Sequence, residues 1–247
     1  MNAGDYFRLL NELPVRDWRD LTGEQPFVVL SPHPDDESLG AGGLIALARR
    51  HDQQVAIILM TDGSKSHPNS LAYPRDRLIA TRRAELLEAG RILGLSPAAL
   101  FELGLPDAAA PKEGPDFDEA VNIARDIVAR SRARSLFVTW GQDPHCDHEA
   151  AARLAQELRR KDPRLKLWSY PVWGWHLPPT HALSVPPPTG MRLAIGDVLD
   201  QKHAAIRAHQ SQMTEMIDDD PDGFRFTTDT LAPFLRPFEY YIEDTTR

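Results

Sequence analysis

Two short stretches concentrate the side chains that can do chemistry. The first, "VVLSPHPDDESLGAGG" (Val28 to Gly43), sets His33 beside Asp35, Asp36 and Glu37, directly after an apolar run. The second, "TWGQDPHCDHEAARLAQEL", supplies His145, Asp147 and His148. Clustered carboxylates resist burial unless a positive charge sits among them. Two histidines and one carboxylate with an open position form a recurring divalent-metal site, suited to catalytic zinc and also to ferrous iron. Such a metal lowers the pKa of its bound water to about 7 and polarises a carbonyl oxygen, which opens an amide to hydrolysis. A spare carboxylate can take the water's proton, and an imidazole can protonate the departing amine. Asp35 and Asp36 are adjacent and chemically equal, so residue type alone does not say which binds metal. Taken singly, each stretch has a plainer reading, as a helix-capping loop or as surface decoration at a helix start.

The surrounding elements must bring the two stretches together. "FVVL" (Phe27 to Leu30), "VAIILM" (Val55 to Met60), "LFEL" near Leu100, "SLFVTW" (Ser135 to Trp140) and "KLWSYPVW" (Lys166 to Trp173) read as short buried strands. Helical patterns over Leu39 to Arg50, Asp76 to Leu93, Asp118 to Arg132 and His148 to Arg160 alternate with them. Further on, "MRLAIGD" reads as a strand and "VLDQKHAAIRAHQSQM" as a helix. This order predicts a single α/β domain over residues 1–247, with its core in 27–212. The expected architecture is a Rossmann-like, mostly parallel sheet with helices on both faces. Such sheets bind ligands beyond the carboxyl ends of their strands, and both chemistry-bearing stretches directly follow predicted strands. That shared position favours the metal site over the plainer readings. The proline-rich segment 177–190, "LPPTHALSVPPPTG", breaks the pattern. It reads equally as an excursion over the surface and as a wall of the pocket.

Composition narrows the function classes. The chain has 247 residues, 42% of them hydrophobic, which suffices for one sizeable core. Its formal net charge of −8 argues against a nucleic-acid or anionic-membrane surface. The single cysteine, Cys146, forbids an intrachain disulfide and suits a reducing compartment. No signal-peptide pattern opens the sequence, and no apolar run approaches the roughly 18 residues of a membrane span. A soluble, cytoplasmic protein is expected.

The residues also carry a resemblance. "SPHPDDESLGAGG" resembles the "AHPDDE" signature of the PIG-L/LmbE family of metal-dependent N-deacetylases, and "HCDH" is similar to that family's "HPDH" segment. "MTDGSKS", "RRAELLEAGRILGL", "LGLPD" and "HAAIRAHQSQ" resemble further family segments in the same order, so that the likeness runs from about Phe27 to Gln212. The resemblance implies that His33, Asp36 and His148 bind zinc and that Asp35 is the general base. It implies that His145, oriented by Asp147, stabilises the oxyanion or protonates the leaving amine. Arg82 would face the substrate, with Arg83 beside it as an alternative register, and Asp107 would meet a sugar hydroxyl. His209 would reach the pocket from the last helix. Two departures stand out: Cys146 replaces the usual Pro, and Asp143 occupies a place where some members carry Tyr.

Other features have readings of their own. Gly40, Gly42 and Gly43 fall short of a dinucleotide fingerprint, because Ile45 stands where its third glycine belongs, and read as close helix–sheet packing. Cys146 reads as a packing residue beneath the loop rather than a nucleophile. Trp173 and Trp175 read as sugar-stacking or as packing aromatics. His176 and His181 read as loop residues, and "IDDDPDG" (Ile217 to Gly223) as a solvated turn. The expected function is zinc-dependent removal of an N-acetyl group from an amino-sugar substrate or glycoconjugate, with Fe2+ or another divalent metal as alternatives. The rivals are an amidase on a thiol conjugate or natural-product amide, and a catalytically silent metal- or sugar-binding protein. Homo-oligomerisation through the proline-rich segment is left open.

Overall fold

The computed structural model describes residues 1–244. Residues 245–247 of the predicted domain lie outside the described residues. Eight strands form one sheet: β1 (Val15–Arg16), β2 (Phe27–Ser31), β3 (Val55–Thr61), β4 (Leu100–Leu105), β5 (Ser135–Thr139), β6 (Lys166–Tyr170), β7 (Gly190–Ala194) and β8 (Phe238–Glu243). Their spatial order is β1-β7-β8-β6-β5-β2-β3-β4. All strand pairs are parallel except the two made by β8, which runs antiparallel between β7 and β6. The helices are α1 (Ala3–Glu12), α2 (Trp18–Thr22), α3 (Asp36–Arg50), α4 (Arg75–Ile92), α5 (Pro115–Arg130), α6 (Cys146–Lys161), α7 (Leu199–Ala208), α8 (Gln210–Met213) and α9 (Thr228–Leu231).

Every residue of β2, β3 and β5 is buried, as their unbroken apolar runs require of central parallel strands. Alternate side chains enter opposite layers. Phe27, Val29, Ile57 and Phe137 pack with α3, α7 and the end of α4. Val28, Leu30, Ile58, Leu136 and Val138 pack with α5 and α6. The Rossmann-like, two-sided architecture expected from the sequence is therefore present, with its main helices within a few residues of their predicted bounds.

The glycines of α3 serve close packing. A Cβ at Gly40 would fall 1.9 Å from the Tyr170 ring, and one at Gly43 would fall 2.5 Å from Ile195. These contacts let α3 lie close to the sheet and fix its first turn over the site.

Besides α1, β1, α2 and α9, which lie outside the elements read from the sequence, three regions differ from expectation. Strand β8 was not anticipated, because Glu239 interrupts its apolar run. That carboxylate is buried and satisfied by the N–H groups of Gly43 and Leu44, by Lys202 Nζ at 2.7 Å and by the Tyr241 hydroxyl. The helix expected to run unbroken through residues 198–213 breaks at His209, whose ψ is 58°. The break lets both the backbone N–H and the hydroxyl of Ser211 donate to Glu85, each at 2.7 Å. The proline-rich segment packs on α1 rather than on the rim: the amides of Ala3, Gly4 and Leu183 bond to His181, Pro179 and Met1 carbonyls. It is a surface excursion that walls a separate cavity beside Tyr6 and Trp140, not the cleft that holds the site residues.

Candidate metal centre and active-site cleft

The chain leaves β2 toward β3 on one side, while β5 pairs with β2 on the other. The crevice where these paths diverge lies at the carboxyl ends of β2 and β5, the usual binding place in such sheets. The loop after β2 carries His33, Asp35 and Asp36. The segment after β5 carries Asp143, His145, Asp147 and His148.

Asp36 Oδ2 lies 3.2 Å from His33 Nδ1 and 3.3 Å from His148 Nε2. These separations match the edge of about 3.3 Å expected between ligands of a tetrahedral site with bonds of about 2.0–2.1 Å. His148 Nε2 is buried and has no hydrogen-bond partner. The other nitrogen of each imidazole faces carboxylates: His33 Nε2 lies 3.1 Å from Asp147 and 3.3 Å from Asp107, and His148 Nδ1 lies 2.9 Å from Asp143. Metal-binding histidines typically use their second nitrogen in this way. An orphaned imidazole nitrogen, a shared carboxylate oxygen and three backing carboxylates fit a divalent cation. His145 adds a third ring nitrogen to the cluster, all three within 4.8 Å of one another.

Burial alone would discharge these groups, and their partners decide otherwise. Burial lowers the His148 pKa, yet Asp36 and Asp143 outweigh it and hold it at about 9. His33 is likewise held well above its ordinary value by Asp107, Asp147 and Asp36, against burial. Asp36 stays well below the carboxylate range despite burial, because His148 and His33 stabilise its charge. Asp35 goes the other way. Burial pushes it up to about 7, opposed by Arg82 and reinforced by Asp36. Burial and the neighbouring His33 and His148 push His145 down to about 4. Two adjacent aspartates are thus split into a committed anion and a group poised near neutrality.

Asp35 is held in an uncommon conformation. Its φ of 151° lies outside the regions that L-residues favour. Its N–H donates to Glu37 Oε2 at 3.1 Å, and its carboxylate receives Arg82 Nη2 at 3.1 Å. Arg82 also donates to the Gly63 and Pro34 carbonyls. One buried guanidinium thereby ties the β2 and β3 loops together under the carboxylate.

The centre opens into a cleft of about 380 Å³ that His33, Asp35, Asp36, His145, Arg82 and Asp107 share with Trp173 and Phe224. A larger groove of about 670 Å³, near Phe27, Arg49 and Arg91, holds none of the site residues.

The family model for PIG-L, described as GlcNAc-PI de-N-acetylase, matches residues 28–158, more than half of the chain. The chain belongs to the PIG-L family. A relative from Bacillus subtilis (strain 168), named "Probable N-acetyl-alpha-D-glucosaminyl L-malate deacetylase 2", is 28% identical over 221 residues, covering 87% of this chain and 95% of the relative. Among solved structures, N,N'-diacetylchitobiose deacetylase from Pyrococcus horikoshii aligns with a TM-score of 0.66 at 20% identity, over 97% of this chain and 90% of that one. GalB, the 4-carboxy-2-hydroxymuconate hydratase of Pseudomonas putida KT2440, also reaches 0.66, at 17% identity over 90% and 97% of the two chains. At these identities the structures establish a shared fold, and the hydratase shows that the fold alone does not fix the reaction.

Several expectations for this PIG-L protein need correction. His209 does not line the cleft: it is fully buried, with Nε2 3.2 Å from Glu37 Oε1. The break before α8 turns it inward, behind Asp35. The Asp147 carboxylate does not orient His145. It accepts the N–H groups of Ala108 and Ala110 and faces His33. The backbone N–H of Asp147 donates to His145 Nδ1 at 3.2 Å, which leaves Nε2 of the neutral ring to carry the proton. Arg82 borders the cleft, but both of its Nη atoms are engaged by the protein, whereas Arg83 is exposed and paired with Glu102. Asp107 sits in the cleft and accepts the Lys65 N–H at 2.7 Å.

Cys146 is exposed, not packed beneath the loop. Partial desolvation of its thiol and the nearby Asp147 raise its pKa, the reverse of an activated nucleophile. Trp173 walls the cleft, stacked on Phe226 with centroids 5.5 Å apart, whereas Trp175 packs with Phe7 and Tyr240 around α1. Asp143 escaped the sequence reading as a contributor. Its position three residues after a strand and two before His145 was the available signal.

Proposed function

We propose that this PIG-L protein is a zinc-dependent amide hydrolase that removes the N-acetyl group from an N-acetylglucosamine conjugate. The observation that carries this reading is the split pair at one cleft: Asp36 shared between two imidazoles, and Asp35 beside it, close to neutrality. The family description and the name of the B. subtilis relative both specify an N-acetylglucosamine unit on different aglycones. They support the amino sugar as the common element of the substrate.

In this reading His33, Asp36 and His148 hold the metal. Bound zinc would supply an acidified water and polarise the acetamide carbonyl. Asp35 would act as the general base toward an attacking water, a role that a carboxylate near neutrality fills efficiently at physiological pH. Arg82 and Glu37 keep Asp35 in place. His145 directs its Nε2–H at the carbonyl oxygen as negative charge develops there. Asp35, once protonated, is the nearest acid for the departing amine. Asp107 accepts a sugar hydroxyl at the cleft edge, and Trp173 with Phe224 offers an apolar face to the ring.

The test is acetate release from N-acetylglucosamine conjugates with protein stripped by chelator, then reloaded with zinc. Release restored by zinc is the expected result. Full release by stripped, verified metal-free protein would overturn the reading.

A further inference from the structure

At the position where some PIG-L members carry Tyr, this chain carries Asp143, and its carboxylate is fully buried between two parts of the site. Oδ2 lies 2.9 Å from His148 Nδ1 and accepts the N–H groups of Val172 at 2.9 Å and Trp173 at 3.2 Å. Oδ1 accepts the N–H of Gly174 at 2.7 Å. Every one of these partners is a donor, so the carboxylate serves as an acceptor hub. A Cβ at Gly174 would fall 2.8 Å from Oδ1, so the close approach also requires glycine there.

We propose that Asp143 is a positioning residue that aligns the metal ligand His148 and the cleft wall at Trp173 through one carboxylate. By accepting from Nδ1–H it fixes the His148 tautomer and leaves the Nε2 lone pair free for the metal. By accepting from three successive amides it holds the turn that carries Trp173 against the cleft. An amide at this position would fail in either orientation. An NH2 group placed at Oδ2 would face three donors, and one placed at Oδ1 would face the Gly174 N–H. Asp143 acts in this way whatever amide the cleft accepts, and depends only on the part of the proposed function that makes His148 a metal ligand.

The experiment measures zinc affinity by chelator competition for Asp143→Asn and for Trp173→Ala, with near-ultraviolet circular dichroism to verify folding. Asp143→Asn is expected to bind zinc about 10- to 100-fold more weakly, with kcat lowered and KM raised together. Trp173→Ala keeps the amides of the turn, so it should raise KM and leave zinc affinity within about twofold. A folded Asp143→Asn protein with unchanged zinc affinity would overturn the proposal, as would an equal loss of zinc in Trp173→Ala. A second measurement needs no variant. In the zinc-loaded parent, histidine nitrogen NMR should show His148 protonated at Nδ1 and coordinated through Nε2; the reverse assignment would also overturn it. Zinc affinity and the nitrogen assignment involve no substrate, so a failure to find acetate release leaves both of these outcomes interpretable.

Discussion

The chain contains two runs of neighbouring acids, "HPDDE" at residues 33–37 and "IDDDPDG" at 217–223, and the fold uses them in opposite ways. In the first, the acids are buried among imidazoles and a guanidinium, and neighbouring aspartates are driven apart in proton affinity. In the second, the acids meet backbone amides. Asp219 accepts the N–H groups of Leu71 and Ala72 and the Ser70 hydroxyl, and Asp220 accepts the N–H of Asn69. This run turns at the surface, with Asp218, Asp219 and Asp222 exposed as its composition suggests, but it also has a structural task. It staples the segment after β3 to the segment that ends in Phe224, and so builds one rim of the cleft. An acidic run becomes a reactive centre when its partners are themselves titratable and water is excluded. Facing neutral amides at the surface, the same residue type only fastens a loop.

Four substitutions or conditions test that contrast. The largest effect is expected at the first run. Asp35→Ala should lower kcat by about 10²- to 10⁴-fold while zinc stays at one per chain by metal analysis. Joint loss of metal and turnover would show Asp35 to be a ligand. His148→Ala should weaken zinc binding beyond the 10- to 100-fold typical of backing residues, and stoichiometric zinc retained against a competing chelator would remove it from the ligand set.

A smaller effect concerns pH. In stripped protein His148 carries a proton up to about pH 9, against an ordinary value of 6.5. Zinc must displace that proton, so its apparent affinity should climb steadily with pH through the window from about 6.5 to about 9. A profile that is flat across this window would mean that no such proton is held. The smallest effect belongs to the second run. Asp219→Ala should leave zinc affinity and kcat unchanged. It should speed amide exchange at Leu71 and Ala72 about tenfold through local opening. Unchanged exchange at those amides would show that the staple does not hold the rim.

Much of this was legible in the sequence. The five apolar runs became β2 to β6. For β2, β3 and β5 the reason is local, because a strand buried on both faces must be apolar throughout; β4, at the sheet edge, is only half-buried, although its run reads as a buried strand. The same runs located the rim and put both histidine-bearing stretches on it. Strand β8 and the break at His209 were not legible in this way, since Glu239 and Ser211 find their partners in residues more than a hundred positions away. His209 followed the family pattern into the pocket on paper, yet the break turns it onto Glu37.

Residue types and their order already set out the reactive inventory: three imidazoles, two neighbouring carboxylates and an α/β order that brings them to one end of a sheet. Only the tertiary structure decided which aspartate is the anion and which the base, because the two differ in nothing but their surroundings. Asp36 lies between His33 and His148 and keeps its charge, while for Asp35 burial outweighs Arg82 and the neighbouring Asp36 adds to it, so that it is pushed toward neutrality. Proton affinity is set by burial and by charges brought close in space, and His148 lies 112 positions from Asp36 along the chain.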